Sequence, residues 1–350
     1  MKLQGDEEGD FGGVLLIGQR KMNGLILEEL KKHPCVRVRV GQRVVGTEDI
    51  PSQQGVKVMA HEALDFNRAG NHDGGVMYEA RYVIGTDGAN SAVRRMLCIV
   101  RLSNVPISTD YEAAIRILHL PRLENDRHRR PLRLPQTPRV HTPKFHSRPH
   151  RLERHSLHTG EDENGSPYGT ARPQWRVAYP EDPNLPGDKE SIMERAYESV
   201  KPFIDAGDGK DGKGEFTITR AEPYVQRQRV AATGRKDRVL LAGDALHSNN
   251  PIGGLGLTSG ICDAFCYGNA LVRVINDGED DGVLTHCSES RRWAWINATN
   301  VMSVANLKRL QSFEPEDIKK RNEFFEKFNT DNNFPAQVRK GMNGLMIDSF

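Results

Sequence analysis

The sequence lacks the features that mark membrane-spanning, secreted and polyanion-binding proteins. No apolar run approaches the roughly 18 residues that a membrane helix requires, and the opening MKLQGDEEGD does not form a signal-peptide pattern. The formal net charge of +2 over 350 residues gives no overall field that would attract a polyanion. These absences predict a cytoplasmic protein with no stable membrane insertion and no nucleic-acid partner. The length allows two domains, each with its own core.

Cysteine is also scarce. The five cysteines are odd in number and scattered along the chain, which argues against a disulfide framework. Cys262 and Cys266 stand one helical turn apart, but no second pair of Cys or His completes a zinc set. We therefore predict buried free thiols and no metal site.

Regular periodicity is absent from the segment His119–His158. It contains seven of the twelve histidines, many Arg and Pro, and no Gly, Ala or Ile. Its apolar residues recur with neither the helical nor the strand period. A basic nucleic-acid or metal-binding tract, a disordered insert and a stretch read out of frame are the three interpretations. We favour the third, because the composition breaks abruptly and ordinary sequence resumes at Thr159.

One stretch that does carry a clear pattern is RVLLAGDALHSNNPIGGLGLTSG, Arg238–Gly260. Val239–Ala242 is predicted as a parallel strand that is apolar on both faces, and open α/β sheets bind ligands at the carboxyl ends of such strands. Asp244 offers acceptor oxygens to hydroxyl donors, while the glycine-rich loop and the following helix N-terminus favour an anion. The pattern predicts a ligand with a hydroxylated chain and an anionic part; a purely structural strand–turn–helix is the alternative.

The helix that follows is predicted to begin near Leu257. Its apolar residues recur at helical spacing and define one face. That face comprises Ile261, Ala264, Phe265, Gly268, Leu271, Val272 and Ile275.

A second stretch, YVIGTDGANSAVRRML from Tyr82 to Leu97, repeats this design. An apolar strand ends at Gly85, and Asp87-Gly88 follows it. Ser91 is predicted to cap a short helix, and Arg94 suits a phosphate or Asp87 itself. Because the two stretches occur together, the ligand-binding interpretation outweighs the structural one.

The two stretches together resemble the two flavin motifs of class A flavoprotein monooxygenases, the para-hydroxybenzoate hydroxylase-like family, and look closest to fungal members. The family motif D-G-x-x-S-x-x-R stands here as Asp87, Gly88, Ser91 and Arg94. The other motif, Gly-Asp followed by Pro and a Gly-rich loop into a helix, stands as Gly243, Asp244, Pro251, Gly253, Gly254, Leu255 and Gly256. The family's Gln that opens a helix after a strand matches Gln19. The resemblance covers roughly Phe11–Arg101 and Gln174–Met346.

This resemblance implies that Asp244 hydrogen-bonds the ribityl chain of FAD and that the Gly253–Gly256 backbone faces the isoalloxazine and the pyrophosphate. It implies further that Asp87 and Arg94 support FAD and NAD(P)H, and that Gln19 contacts the flavin side of the cofactor. The implied reaction inserts one oxygen atom into an aromatic or polyketide-like small molecule, with NAD(P)H as co-substrate. Because the flavin carries the oxygen chemistry, no catalytic acid or base is predicted.

An α/β fold is implied, with an incomplete Rossmann-like FAD-binding domain at 11–100 and 226–285. An antiparallel-sheet substrate domain is expected at 101–225, with residues 119–158 disordered or out of frame, and a C-terminal helical region at 286–350. The family's opening strand and G-x-G-x-x-G bind the ADP half of FAD, and this sequence has no such element, since no strand precedes GDFGG. About a hundred residues are therefore expected to be missing from the front.

Two alternatives stay open at this point. A truncated, non-catalytic remnant of the family could keep the fold and bind flavin weakly or not at all. A flavin-dependent halogenase shares the fold, but its W-x-W-x-I-P motif precedes the Gly-Asp motif, whereas Trp293-Ala-Trp295-Ile296 follows it and lacks the Pro. His247, close to Asp244, is interpreted as a surface loop residue rather than a catalytic one. The sequence predicts no oligomeric state.

Overall fold

The computed structural model describes residues 19–50, 54–62, 75–102, 114–121, 144–148, 151–158, 174–181, 184–207, 218, 220–225, 227–312 and 314–341. The chain divides into two compact units. The first comprises Met1–Val36 and Asp110–Gln226, and the second comprises Arg37–Thr109 and Arg227–Phe350. The GDFGG segment lies outside the described residues.

The described residues form runs of strands and runs of helices, and one strand pair is parallel, as in the α/β class. The strands are β1 (Gln42–Ile50), β2 (Gly55–Glu62), β3 (Val76–Ala80), β4 (Val83–Gly85), β5 (Arg101–Leu102), β6 (Ala114–Pro121), β7 (Lys144–Arg148), β8 (Arg151–His158), β9 (Gln174–Glu181), β10 (Arg220–Val225), β11 (Arg229–Ala231), β12 (Arg235–Lys236), β13 (Val239–Leu241) and β14 (His247–Ser248). The helices are α1 (Gln19–Leu30), α2 (Ala92–Met96), α3 (Lys189–Gly207), α4 (Leu255–Asn276), α5 (Gly282–Ala294), α6 (Asn300–Gln311), α7 (Pro315–Thr330) and α8 (Phe334–Gly341). A 3-10 turn at Gly243–Ala245 and a π-helical turn at Trp295–Thr299 accompany them.

The first unit contains a five-stranded antiparallel sheet in the order β10-β6-β9-β8-β7. Strands β7 and β8 pair with each other, and β8 pairs with β9. Both lie in the segment predicted to be disordered or out of frame. Their pairing differs from disorder over these two strands, and the out-of-frame interpretation stays a prediction. Antiparallel pairing joins backbone N–H and C=O groups, and it does not require a regular side-chain period. The intervening residues 122–143 lie outside the described part of the chain.

The second unit places the strands of the two motifs side by side. β13 lies between β12 and β4 and pairs in parallel with β4, with Leu241 opposite Gly85. All of its residues are buried, which confirms the predicted parallel strand with two apolar faces. The two faces pack against separate clusters, one including Val93 and Leu246 and the other including Tyr267 and Leu284. Two further sheets of the unit have the orders β1-β2-β3 and β14-β11-β5.

Helix α4 buries a different face from the one that the sequence predicts. Four large members of the predicted apolar face are exposed: Ile261, Phe265, Val272 and Ile275. The buried residues are instead Leu255, Ser259, Asp263, Cys266, Tyr267, Ala270 and Val274. Apolar residues recur at helical spacing on both faces, so periodicity alone cannot decide which of them meets the sheet.

Cys266 and Cys287 are buried, as predicted, but the prediction that they are free thiols is wrong. The two residues are buried and form a disulfide between α4 and α5, with Cα atoms 6.2 Å apart. Only the packing of the two helices brings these distant positions within the Cα separation that a disulfide allows. Cys35, Cys98 and Cys262 are free, as predicted, but Cys35 and Cys98 are exposed and Cys262 is half-buried, so the predicted burial is wrong for these three.

Within the described ranges, every helix is too short or too polar to cross a lipid bilayer. In the same part of the chain, no group of three or more His, Cys, Asp or Glu side chains could hold a metal ion.

Candidate functional site

The two motifs meet at one edge of the parallel strand pair. The carboxyl ends of β4 and β13 are adjacent, and the backbone N–H of Ala242 donates to the carbonyl of Gly85 (3.0 Å). Asp87 follows β4 and Asp244 follows β13, so parallel pairing carries both acidic residues to the same edge. The close fit depends on Gly85, because a Cβ there would stand 2.9 Å from Cγ1 of Val93. We call this edge, with Asp87–Arg94 and Gly243–Gly256, the candidate site.

Ser91 and Asp87 cap the short helix α2. The Ser91 Oγ accepts a hydrogen bond from the N–H of Arg94 (2.9 Å), which confirms the predicted N-cap. The Asp87 Oδ2 accepts from the N–H groups of Ala92 (2.6 Å) and Val93 (3.1 Å). Burial acts to raise the pKa of Asp87, but these hydrogen bonds and one with Ser91 outweigh it and hold the pKa below its ordinary value. Gly88 takes a φ of +84°, a conformation that favours glycine.

Arg94 connects the Asp87–Arg94 loop to the Gly243–Gly256 loop by hydrogen bonds to backbone carbonyls. Its guanidinium is buried, and Nη1 donates to the carbonyl of Ala245 (2.7 Å) while Nη2 donates to that of Ala89 (3.2 Å). Ala245 belongs to the 3-10 turn that carries Asp244. The described contacts of this guanidinium therefore hold the two loops together.

Replacing Ser91 by alanine is expected to lower the free energy of unfolding by about 1 kcal/mol, because the N–H of Arg94 loses its acceptor in a buried position. Urea unfolding of the cofactor-free protein measures the change. Asn90→Ala is the matched control, since Asn90 is exposed and its described contact uses the backbone carbonyl. An unchanged unfolding midpoint in Ser91→Ala would contradict the capping role.

Asp244 lies just after the end of β13, at the sheet edge of the candidate site. Gly243 adopts a left-handed φ of +56°, and the side chain of the next residue, Asp244, is exposed. Although solvent reaches the carboxylate, burial raises its pKa, and the neighbouring His247 and Arg101 oppose that rise only in part. Arg101 also donates from Nη2 to the Asp244 carbonyl (3.1 Å). The result is a fixed backbone that carries an accessible acceptor.

The glycine-rich loop forms a tight turn directly before α4. The N–H of Gly254 donates to the carbonyl of Pro251 (3.2 Å). Gly253 and Gly254 are exposed and have φ values of +98° and +69°, so both need the freedom of glycine. Leu255 and Gly256 open the 22-residue helix α4, whose first N–H groups have no partner within the helix.

A buried network of amide and hydroxyl side chains, which sequence reasoning missed, holds the glycine-rich loop in place. Gln228 Oε1 accepts from the N–H of Asn250 (2.5 Å), and Gln228 Nε2 donates to Asn300 Oδ1 (2.8 Å) and Ser303 Oγ (2.9 Å). All four residues are buried. The only signal in the sequence is a run of amides and hydroxyls near apolar segments, which does not reveal the pairing.

A second buried cluster lies beneath the turn at Gly243. It consists of Asp263, Arg291 and His247, all of which are buried. The prediction that His247 is a surface loop residue is therefore wrong: β14 pairs with β11 and carries its ring inward. A single Asp within the apolar stretch of α4 is a sequence signal that could have found the cluster.

Gln19, the remaining predicted site residue, lies at the start of α1 with an exposed side chain. It belongs to the first compact unit, whereas every other predicted site residue belongs to the second.

The groups at the candidate site fit the chemistry of FAD. The Asp244 carboxylate can accept hydrogen bonds from the hydroxyls of a ribityl chain. The exposed glycine turn and the N-terminus of a long helix suit the pyrophosphate or the anionic edge of the isoalloxazine. The candidate site therefore suits a ligand with a hydroxylated chain and an anionic part, held at the edge of an α/β scaffold.

Comparisons with known proteins agree with FAD as that ligand. A model of the FAD binding domain matches residues 161–301. The chain is 31% identical over 317 residues to 6-hydroxy-3-succinoylpyridine 3-monooxygenase HspB of Pseudomonas putida (strain DSM 28022 / S16), covering 91% of this chain and 69% of that protein. It is 27% identical over 333 residues to para-nitrophenol 4-monooxygenase of Pseudomonas sp. (strain WBC-3), covering 93% and 70%.

Solved structures support the fold. The chain superposes on p-nitrophenol 4-monooxygenase PnpA from Pseudomonas putida DLL-E4 with a TM-score of 0.73 at 23% identity, covering 97% of this chain and 75% of that one. It superposes on aklavinone-11 hydroxylase, in a ternary complex with FAD and aklavinone, with a TM-score of 0.64 at 19% identity, covering 84% and 48%. The chain belongs to the class A FAD-dependent aromatic monooxygenases, a family of enzymes that typically use NAD(P)H.

Proposed function

We propose that this chain binds FAD at the candidate site and uses NAD(P)H and O₂ to insert one oxygen atom into a small aromatic or polyketide-like molecule. The observation that carries the proposal is the parallel pairing of β4 with β13. That pairing brings two motifs, separated by about 150 residues along the chain (the Arg94–Ala245 hydrogen bond spans 151), to one sheet edge. Family membership supports the cofactor and the type of reaction.

Each predicted site residue has a proposed part in holding FAD. Asp244 accepts from the ribityl hydroxyls, and the Gly253–Gly256 backbone faces the isoalloxazine and the pyrophosphate. Gln19 contacts the flavin side of the cofactor. The motif Asp87, Gly88, Ser91 and Arg94 supports this arrangement through the contacts of Arg94 with the Gly243–Gly256 loop. Asp87 and Arg94 are the residues proposed to support FAD and NAD(P)H.

When bound, FAD supplies the redox chemistry that joins NAD(P)H to O₂. The chain's own residues hold the cofactor and fix its orientation. The Asp244 carboxylate accepts hydrogen bonds and transfers no proton. Pro251 in the loop and Leu255 at the start of helix α4 shape the cofactor's surroundings.

We further propose that residues 11–100 and 226–285 bind FAD, that residues 101–225 contact the substrate, and that residues 286–350 support the cofactor region. The antiparallel sheet of the first unit supports the second assignment, since it lies within 101–225. The names of the two relatives, a hydroxypyridine and a nitrophenol monooxygenase, support a hydroxylated aromatic ring as substrate. We propose the cytoplasm as the location of this protein.

The experiment that tests the proposal is a titration of the purified chain with FAD, followed by flavin absorbance and fluorescence. Saturable binding would support the proposal. Oxidation of NADH and NADPH would then be measured against a panel of phenols, including para-nitrophenol. The absence of FAD binding would contradict the proposal and favour a non-catalytic member of the family.

The affinity for FAD is expected to fall as the pH falls toward the pKa of Asp244. The ionised carboxylate is the better acceptor, so binding is strongest above that pKa and is lost below it. Because burial raises the pKa above the ordinary 3.8, the loss begins at a higher pH than for an ordinary aspartate. Titrations across acidic pH measure this effect. Asp244→Asn is the matched control, and it should bind more weakly with a flatter pH profile; equal pH profiles would contradict the assignment.

A further inference from the structure

Asp263 connects the middle of helix α4 to the turn that carries Asp244. Its side chain is fully buried. Oδ2 accepts a hydrogen bond from the backbone N–H of Gly243 (2.9 Å), and Oδ1 accepts one from Nε of Arg291 in α5 (2.8 Å). One carboxylate therefore binds both a cation and the backbone of the Gly-Asp motif.

His247 completes the surroundings of this carboxylate. Its Nε2 lies 2.8 Å from Asp263 Oδ2. Its ring stacks on that of Trp295, with centroids 5.9 Å apart and an interplanar angle of 15°. The stack fixes the imidazole against the π-helical turn, so four separate segments of the second unit converge below Gly243.

The electrostatics keep Asp263 ionised. Burial acts to raise its pKa, but the close approach of His247 and the charge and hydrogen bond of Arg291 outweigh burial and leave the pKa below the ordinary value. A buried ion pair is weak evidence for stability, because a well-packed apolar pair of similar volume often serves equally well. What an apolar pair cannot supply is an acceptor for the N–H of Gly243.

The hydrogen bond from the Gly243 N–H to Asp263 fixes the orientation of the Ala242–Gly243 peptide, which begins the Gly-Asp motif. Gly243 has a left-handed φ of +56°, and Asp244 is the next residue. Gly243 is half-buried. If the acceptor is removed, the peptide between Ala242 and Gly243 can rotate to find another partner, because an N–H that is shielded from water and lacks an acceptor is costly. Rotation there would redirect the Asp244 carboxylate away from the edge of the sheet.

We infer that Asp263 is a positioning residue for the cofactor, which acts by fixing the Gly243 N–H and hence the aim of the Asp244 carboxylate. This inference rests on the proposed function, namely that Asp244 binds FAD. It assigns Asp263 a role through Gly243 and no contact with the flavin. Arg291 and His247 keep the carboxylate charged and oriented.

The test compares two double variants that both lack the buried ion pair. Asp263→Asn with Arg291→Met keeps a carbonyl oxygen for the Gly243 N–H, whereas Asp263→Leu with Arg291→Met has similar volume and no acceptor. Dissociation constants for FAD are measured by titration, and urea unfolding of the cofactor-free proteins is measured in parallel. We expect the Leu variant to bind FAD at least about tenfold more weakly than the Asn variant. We also expect the absorbance of its bound flavin to differ from that of the wild type.

The outcomes separate this inference from the proposed function. Equal dissociation constants in the two double variants, with wild-type protein that binds FAD, would overturn the inference and leave the proposed function intact. Wild-type protein that does not bind FAD would overturn both. A difference in affinity that simply follows a difference in unfolding midpoint would also overturn the positioning role. If the Leu variant does not fold, Asp263→Met on the same background replaces it as the partner that lacks an acceptor.

Discussion

Replacing Asp244 by alanine is expected to weaken FAD binding by about 1.5–3 kcal/mol, a loss of roughly 10- to 150-fold in affinity. This is the range of hydrogen bonds to charged acceptors, and the exposed carboxylate at the end of β13 is the acceptor proposed for the ribityl hydroxyls. The surrounding backbone is held independently, since Arg94 and Arg101 bind the carbonyls of Ala245 and Asp244. The loss should therefore be confined to the contact with FAD.

The same substitution is expected to leave the cofactor-free protein equally stable or slightly more stable near neutral pH. Burial raises the pKa of Asp244 in the folded protein. A carboxyl group whose pKa is higher in the folded than in the unfolded state destabilises the folded state once it is ionised, and this cost disappears below both pKa values. Weaker binding without lower stability distinguishes a ligand contact from a structural one.

Two measurements on the Asp244→Ala variant check these expectations: a fluorescence titration with FAD and urea unfolding without it. Asp49→Ala is the matched control, because Asp49 is exposed on β1 in the same unit. The control should bind FAD as the wild type does. An unchanged affinity in Asp244→Ala would exclude the ribityl assignment.

Replacing Arg291 by methionine is expected to lower the free energy of unfolding by about 3–5 kcal/mol, the cost of leaving a buried charge without its partner. Arg291 Nε is bound to Asp263 Oδ1 at 2.8 Å, and the side chains are 2% and 0% exposed. The methionine fills much of the volume, so a cavity contributes little. His247 remains beside the carboxylate and cannot replace the guanidinium's hydrogen bond to Oδ1.

The effect of Arg291→Met on stability should depend on pH. In the wild type the lowered pKa of Asp263 contributes stability that is present above the unfolded value and is lost as the pH falls through the folded value. In the variant, burial without Arg291 should raise that pKa, so the ionised form destabilises the fold until acid protonates it. The deficit is therefore largest near neutral pH and shrinks in acid.

Urea unfolding of the wild type and of Arg291→Met at several pH values measures both the loss of stability and its dependence on pH. Lys319→Met provides the control, since Lys319 is exposed on α7 and such surface changes alter stability by less than about 0.5 kcal/mol. A loss below about 1 kcal/mol in Arg291→Met, or a deficit that does not change with pH, would contradict a buried ionised Asp263.

Much of the candidate site could be predicted from residue types and short spacings. The strand before Asp244 and the cap at Ser91 depend on neighbours in sequence, because a strand end, a positive φ and an N-cap are local properties. The resemblance then supplied the cofactor, and the family comparisons confirm FAD and the type of enzyme. The part of each site residue in binding FAD stays a prediction.

The failures share one cause, which is that side-chain patterns do not specify their partners. Helix α4 carries apolar residues on two faces, and the sheet selects the one that contains Tyr267 and Asp263. The irregular His-rich segment still supplies β7 and β8, which contain no Pro, because backbone pairing does not need a regular side-chain period. Cys266 and Cys287 become neighbours only when α4 packs on α5.

By itself, the sequence determined two strand–turn–helix units, each with a carboxylate directly after its strand, because these depend on local backbone preferences. Only the tertiary structure decided that the two units share one sheet edge and that Arg94 binds the carbonyl of Ala245, 151 residues away. It alone decided that Asp263 and Arg291 meet beneath Gly243. Buried polar groups must find partners wherever packing offers them, and the distance along the chain does not limit that choice.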